Sequence, residues 1–399
     1  MNPVRKVYCR IFQQCFHIAI PFLPYREPKI MRNIEDLVPL LKKKHITRVL
    51  LVTDKGIRNL GITSYLEDAF KKRKIYTVVY DNTVANPTID NVEEARKLYI
   101  KEQCQAIVAF GGGSSMDCAK VCGARVVKPN QSVRSMKGLL KIHKKLPLLV
   151  AIPTTAGTGS ETTLAAVITD GKEHHKYPIN DFSLIPRYAV LDYRVTMGLP
   201  PALTATTGMD ALTHAVEAYI GGSTTANTRK KAEYAVKLIY KYLKRAYDNG
   251  NDCKARDAML RAAYYAGIAF SQSYVGYVHA IAHSLGGQYG IAHGHANAVI
   301  LPIMLREYGS SCERNLSELA RRTEVVKEGY DDSTTAAMFI DWVQEMNDYM
   351  NIPRHIPEIQ ESDIGVMAKH ADAEANPLYP VPKLMGKKEL AAMYEIIGG

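Results

Sequence analysis

The chain has 399 residues, 47% hydrophobic and 23% charged, a balance that excludes a disordered or fibrous protein and gives enough length for two folded domains. Its net charge of +11 is unevenly placed: residues 1–150 hold 27 Lys+Arg against 12 Asp+Glu, whereas residues 151–399 hold 24 against 28. The basic residues fall in short groups at 42–44, 71–74 and 144–145 without interleaved aromatics, which reads as solvated helix and loop faces and not as a nucleic-acid surface.

The opening stretch, MNPVRKVYCRIFQQCFHIAIPFLPYREP, is basic and partly apolar. Arg10, Gln13, Gln14 and His17 interrupt its apolar run, which falls far short of the roughly 20 residues of a membrane span, and no A-x-A cleavage site follows. Residues 1–30 are therefore expected to be a folded, strand-rich extension at a subunit contact, with no membrane partner. Seven cysteines, at 9, 15, 104, 118, 122, 253 and 312, are odd in number and lack any C-x-x-C, so neither a disulfide framework nor a zinc ribbon is supported and a reducing cytoplasm fits.

From about residue 32 the pattern alternates. An amphipathic helix is expected over 31–46, a strand over 48–54, a helix over 65–75, a strand over 76–81, a helix over 92–104 and a strand over 106–110. Alternation of this kind implies a parallel sheet with crossover helices.

Directly after the third strand comes GGGSSMDCAK (111–120). Its glycines let backbone N–H groups approach an anion, Ser114 or Ser115 is placed to cap the following helix, and that helix N-terminus adds positive potential, so the stretch reads as a phosphate seat. It matches neither G-x-G-x-x-G nor the P-loop, and a plain tight turn would also explain three glycines. Asp54, at the end of the first strand, is a candidate acceptor for a ribose 2′-OH that would favour NAD over NADP; a simple helix cap is the equal alternative. A strand over 146–152 runs into PTTAGTGSETT (153–163), where Thr154, Thr155 and Thr158 can donate to cofactor hydroxyls or phosphates. Strands over 166–170 and 188–193 follow, and His174 and His175 between them read as exposed and not ligating.

Composition changes at LPP (199–201), which places a boundary between a domain of residues 1–199 and one of residues 200–399. Eight helices are expected beyond it, over 207–220, 226–248, 254–271, 274–286, 296–309, 312–325, 333–350 and 384–397. Two stretches there carry chemistry. HAIAHSLGGQYGIAH (279–293) sets His279 and His283 one turn apart on one helix face, and its Gly-Gly break allows the chain to fold back and bring His293 to the same point. TATTGMDALTHAVEAYI (204–220) places Asp210 and His214 at the same spacing on an otherwise apolar helix, where a buried carboxylate is costly without a cation.

With GGGSSMD, PTTAGTGSE, GMDALTHAVEAY and HAIAHSLGG-x5-H-x-x-AN present in that order, the chain resembles the iron-containing (group III) alcohol dehydrogenases from about residue 30 onward. The resemblance implies an α/β N-terminal dinucleotide-binding domain with a parallel sheet, an all-helical C-terminal domain, and an active site in the cleft between them. It implies metal ligation by Asp210, His214, His279 and His293, with His283 as a further active-site histidine. It implies cofactor contacts from Asp54, Asn86, Gly112, Gly113, Ser114, Ser115, Asp117, Thr154, Thr155, Thr158 and Lys176, and assembly into homodimers or larger oligomers. His295, and the acidic or apolar residues of ADAEANPLYP where some relatives place a cysteine, depart from the family pattern near the expected substrate end.

Three neutral imidazoles and a carboxylate suit Fe2+ or Zn2+ and leave room for a substrate oxygen, so the expected reaction is hydride transfer between a primary alcohol or diol, or its aldehyde, and NAD. His283 is expected to relay a proton or to neighbour the nicotinamide. A dehydroquinate synthase-like lyase and a non-catalytic metal or nucleotide binder are the competing readings.

Overall fold

The computed structural model describes residues 1–171 and 175–399, and no side chain is described at His175; the expected exposure of His174 and His175 therefore lies outside the described residues. The chain divides into two compact units, Pro24–Gly198 and Leu199–Gly399, the latter joined by Met1–Leu23. The expected domains put residues 1–30 with the α/β half, so the grouping of Met1–Leu23 with the helical half is a correction.

In the α/β unit the strands are β1 (Lys29–Met31), β2 (Arg48–Val52), β3 (Tyr76–Tyr80), β4 (Ala106–Gly111), β5 (Gly138–Leu139), β6 (Leu148–Pro153), β7 (Ala165–Asp170), β8 (His175–Asn180) and β9 (Tyr188–Val190). Six form one sheet in the order β1-β9-β6-β4-β2-β3, and every pair in it is parallel, with Leu50 of β2 opposite both Val78 and Ile107. The central strands are unbroken apolar runs because both sheet faces are covered. Alternate side chains serve opposite cores: Leu50, Ile107 and Ala151 pack with Met116, Cys118 and Cys122, while Leu51, Val108 and Val150 pack with Leu37, Leu41 and Phe70. A smaller sheet, β5-β8-β7, pairs β7 and β8 as an antiparallel hairpin.

Some local expectations are corrected. The helix expected over 31–46 is replaced by the end of β1, a 3-10 turn Ile34–Asp36 and a short helix Leu37–Lys43. Asp36 accepts from the Asn33 backbone N–H, which starts the helical segment late. Strands β1, β5 and β8 were not expected; they are short, or polar enough to lack the apolar run that marks a central strand.

The helical unit holds Pro201–Ile220, Ala226–Asp248, Cys253–Ser273, Tyr277–Tyr289, His293–Tyr308, Glu313–Arg322, Asp332–Tyr349 and Lys387–Gly398, each within several residues of expectation at its ends, together with an unexpected helix, Glu361–Ala375. The N-terminal extension is a helix, Pro3–Ala19, not strand-rich. Asn2 caps it by accepting from the Arg5 N–H at 2.8 Å, and Pro3 occupies the first turn, where its missing donor costs nothing. Among the described residues no helix is long and apolar enough to cross a membrane. All seven cysteines are unpaired, and five are buried.

Candidate active site

Each unit contributes a group of functional side chains. In the helical unit, helix Pro201–Ile220 carries Asp210, His214 and Glu217 at i, i+4 and i+7, on one stripe that is almost wholly buried. Helix Tyr277–Tyr289 supplies His279, and helix His293–Tyr308 begins with His293. One donor atom from each of Asp210, His214, His279 and His293 lies within 4.8 Å of the other three. The chain reverses as the spacing requires, but not at the Gly-Gly pair: Gly286 and Gly287 are helical, and the turn is made at Gly290, in the left-handed region at φ +70°. Gly294 then permits a close helix crossing, since a Cβ there would stand 2.6 Å from the Thr206 carbonyl oxygen and 3.4 Å from the Asp210 Cβ.

The polar contacts show how the four side chains are aimed. Glu217 accepts from the backbone N–H groups of Gly276 (2.8 Å) and Val278 (2.9 Å), which begin the His279 helix, and pairs with His279 Nδ1 at 2.6 Å. Burial, and next the His293 imidazole, hold His279 well below the usual histidine range, so its ring is neutral and Nε2 presents a lone pair. Burial also pushes His214 down to about 4; its ring stacks on Phe270 at 4.1 Å, and its Nδ1 is buried with no hydrogen-bond partner among the described residues. Burial opposes the charge on Asp210, but His214, His293 and His279 outweigh it and keep the carboxyl below its ordinary value. The Asn297 amide nitrogen sits among three of these groups, 2.7 Å from Asp210 Oδ1, 3.1 Å from His293 Nε2 and 3.3 Å from His279 Nε2. Three lone pairs therefore converge on one small volume in a buried setting. That donor set fits a divalent cation.

His283 is outside this quartet. Its ring stacks on His293 at 5.1 Å, and its Nδ1 pairs with Glu374 Oε1 at 2.6 Å; the same oxygen accepts from the Tyr379 hydroxyl at 2.7 Å. His295 is half-buried and also stands apart from the quartet.

In the α/β unit, the segments that follow the carboxyl ends of β2, β4 and β6 carry most of the other candidates, with Asn86 after β3 and Lys176 in β8. Asp54 caps helix Lys55–Asn59, accepting from the Ile57 N–H at 2.9 Å through one oxygen, while the other accepts from Ser115 at 3.3 Å. Gly112 is the N-cap of helix Gly113–Val127 with no side-chain cap bond, so neither Ser114 nor Ser115 caps that helix; Ser114 Oγ instead accepts from the Asn86 N–H at 3.3 Å. Lys176 donates to Asn86 Oδ1 at 2.8 Å, and the Thr154 N–H donates to the Gly111 carbonyl at 3.1 Å. Thr155 and Thr158 lie against Gly112 and Gly113, and Asp117 accepts from Ser160 (2.8 Å) and from the Val167 N–H (3.0 Å). The eleven residues expected around a cofactor thus lie on strand-end loops, at the start of helix Gly113–Val127 and on β8, several of them joined by these contacts.

Sequence reasoning missed five residues. Lys120 is fully buried and ties the two loops together, with its Nζ 2.9 Å from Ser160 Oγ, 2.9 Å from Thr163 Oγ1 and 2.8 Å from the Ala165 carbonyl; burial pushes it down to about 8. Glu217 and Asn297 could have been found, one turn beyond His214 and one turn beyond His293 respectively. Glu374 and Tyr379 carry no local signal.

Comparisons with known proteins cover both units. A family model described as "Iron-containing alcohol dehydrogenase" matches residues 30–193, and one described as "Fe-containing alcohol dehydrogenase family, C-terminal" matches residues 204–397. Alcohol dehydrogenase 4 of Schizosaccharomyces pombe is 38% identical over 347 residues, covering 85% of this chain and 81% of that protein. A solved 1,3-propanediol oxidoreductase has a TM-score of 0.89 at 33% identity, covering 93% of this chain and 98% of that one. Sulfoacetaldehyde reductase from Bifidobacterium kashiwanohense, solved in complex with NAD+, has a TM-score of 0.83 at 26% identity, covering 94% and 98%.

Proposed function

This chain belongs to the iron-containing alcohol dehydrogenase family and is an alcohol dehydrogenase of that type; on that premise we propose that Asp210, His214, His279 and His293 hold one divalent cation, iron(II) first with zinc as its competitor, for the oxidation of a primary alcohol or diol and the reverse reduction of the aldehyde. The convergence of four donor atoms from three helices within 4.8 Å carries this reading. Three neutral imidazoles and one carboxylate leave a divalent ion with a net charge of about +1 and an open position. A cation held there would lower the pKa of the substrate hydroxyl or polarise the carbonyl, and a bound NAD would supply the hydride acceptor or donor.

The chain's own residues prepare that step. Glu217 accepts a hydrogen bond from Nδ1–H of His279, fixing the tautomer that turns Nε2 toward the cluster. Asp210 supplies the one negative charge inside the quartet. Glu374 accepts a hydrogen bond from Nδ1–H of His283, which leaves the opposite nitrogen with a lone pair to accept the proton released by an alcohol. Asn86, Gly112, Gly113, Ser114, Ser115, Asp117, Thr154, Thr155, Thr158 and Lys176 are assigned to the dinucleotide. The Asp54 carboxylate favours NAD, because it accepts from a ribose 2′-OH and repels a 2′-phosphate. The sulfoacetaldehyde reductase of similar fold, solved in complex with NAD+, supports the same cofactor. Seven unpaired cysteines support a reducing compartment, the cytoplasm.

The test is to strip metal with a chelator, restore Fe2+ or Zn2+ singly without oxygen, and assay alcohols, diols and aldehydes with NAD and NADP. Activity that returns with one ion and follows NAD is expected. Full activity after complete metal removal would contradict the reading.

A further inference from the structure

The N-terminal helix Pro3–Ala19 precedes the first residue matched by the family models, and its polarity is unusual. A surface helix ordinarily buries its apolar stripe. Here Val4, Val7, Ile11 and Ile18 are 80%, 60%, 59% and 67% exposed, while Gln13 is 5% exposed and turned inward together with Cys9 at 1%. The hydrogen bonds of Arg10 and Gln13 to main-chain carbonyls all go to one short strap, residues 377–382. Arg10 donates to the Val381 and Pro382 carbonyls, each at 2.7 Å, and also to Gln13 Oε1 at 2.9 Å. Gln13 Nε2 donates to the Tyr379 carbonyl at 2.7 Å and to the Pro377 carbonyl at 3.3 Å. Arg5 pairs with Asp372 at 2.7 Å, and Phe16 sets its ring edge-on to Tyr274 at 5.0 Å.

That strap reaches the candidate catalytic histidine. Tyr379, whose main-chain oxygen Gln13 holds, donates its hydroxyl to Glu374 Oε1, and the same oxygen pairs with His283 Nδ1. We propose that the N-terminal helix is a positioning element of the active site: Arg10 and Gln13 are positioning residues that fix the 377–382 strap, so that Tyr379 and Glu374 hold the His283 ring in its working orientation. Main-chain carbonyls are rigid acceptors, and two such bonds from one guanidinium define direction as well as distance. The proposal rests on the reading of His283 as the proton-handling residue.

The experiment is a double-mutant cycle in the metal-loaded full chain, with Arg10→Ala/Gln13→Ala on one side and Tyr379→Phe on the other, alongside His283→Gln, the single variants Arg10→Ala and Gln13→Ala, and Val7→Ser on the exposed face as a control. The inward pair is expected to lower kcat about tenfold with KM for the alcohol and metal content unchanged, Tyr379→Phe to do about the same, and the combination to lose no more than either alone. Val7→Ser is expected to leave kcat unchanged. If the double variant does not fold, the single variants are expected to show the same pattern at smaller amplitude. Losses that multiply, or that fall on KM or metal content, overturn the positioning role. His283→Gln with wild-type kcat overturns the proton reading and the positioning role together, whereas a loss in His283→Gln with none in the inward variants overturns the positioning role alone.

Discussion

The two units build their functional groups from opposite materials. In the α/β unit the candidate cradle is mostly backbone and small hydroxyl side chains at strand ends, where the absence of atoms is the design: a Cβ at Gly111 would stand 2.6 Å from Ser115 Oγ. In the helical unit the candidate cation site consists of four large side chains brought from three helices, and everything depends on the atoms that are present. The first should therefore fail when something is added, and the second when something is taken away. Both depend on a hidden support, Lys120 beneath the loops and Glu217 behind His279.

Changes that break this contrast range from severe to slight. Removing a ligand is the largest: His279→Ala or Asp210→Ala is expected to abolish stoichiometric metal binding, read by elemental analysis, and to lower kcat/KM by about 1000-fold or more, with NADH affinity by fluorescence unchanged. Next is Gly294→Ala, an added atom in the helical unit. Its methyl must push the Thr206 carbonyl aside, so a loss of about 1–3 kcal/mol in unfolding free energy and a weaker metal affinity are expected together. Equal metal affinity in a destabilised Gly294→Ala protein would show that the helix crossing does not set the quartet.

Gly111→Ala is the corresponding addition in the α/β unit, at φ +154°. A rise of about tenfold or more in KM for NAD is expected, with metal content intact. Asp54→Ser is milder: serine keeps an N-cap, so stability should hold, while kcat/KM with NADP relative to NAD should rise about tenfold. The smallest effect concerns protonation. Burial pushes His214 down to about 4, below its usual 6.5, so an unfolded chain takes up that proton first and the ring's contribution to stability is lost as pH falls from about 6.5 toward 4. In metal-free protein the His214 ring resonances are expected to stay unmoved between about pH 8 and 6.

Much of this was legible in the sequence, for reasons that differ by region. Strands such as Val49–Val52 are visible because a doubly covered sheet demands unbroken apolar runs, and Asp210 with His214 is visible because helical spacing is local information. The turn at Gly290 was misplaced to Gly286–Gly287 because glycine tolerates a helix interior when packing favours it, and composition alone does not distinguish the two uses. Asp54 takes the helix-cap alternative through one oxygen, while its other oxygen accepts from Ser115. The extension at 1–30 is expected as strand-rich, whereas the structure forms a helix that buries Cys9 and Gln13 and leaves Val4, Val7, Ile11 and Ile18 exposed. Glu374 and Tyr379 lie about 90 residues from His283 in sequence and are joined to it only by tertiary packing, which no local pattern encodes.

The most direct test is anomalous diffraction from crystals loaded with iron or zinc, collected at the metal edge. One strong peak per chain, within bonding distance of Asp210, His214, His279 and His293, is the expected result. A peak elsewhere, or no peak in crystals of fully active enzyme, would contradict the assignment of these four side chains to a single cation.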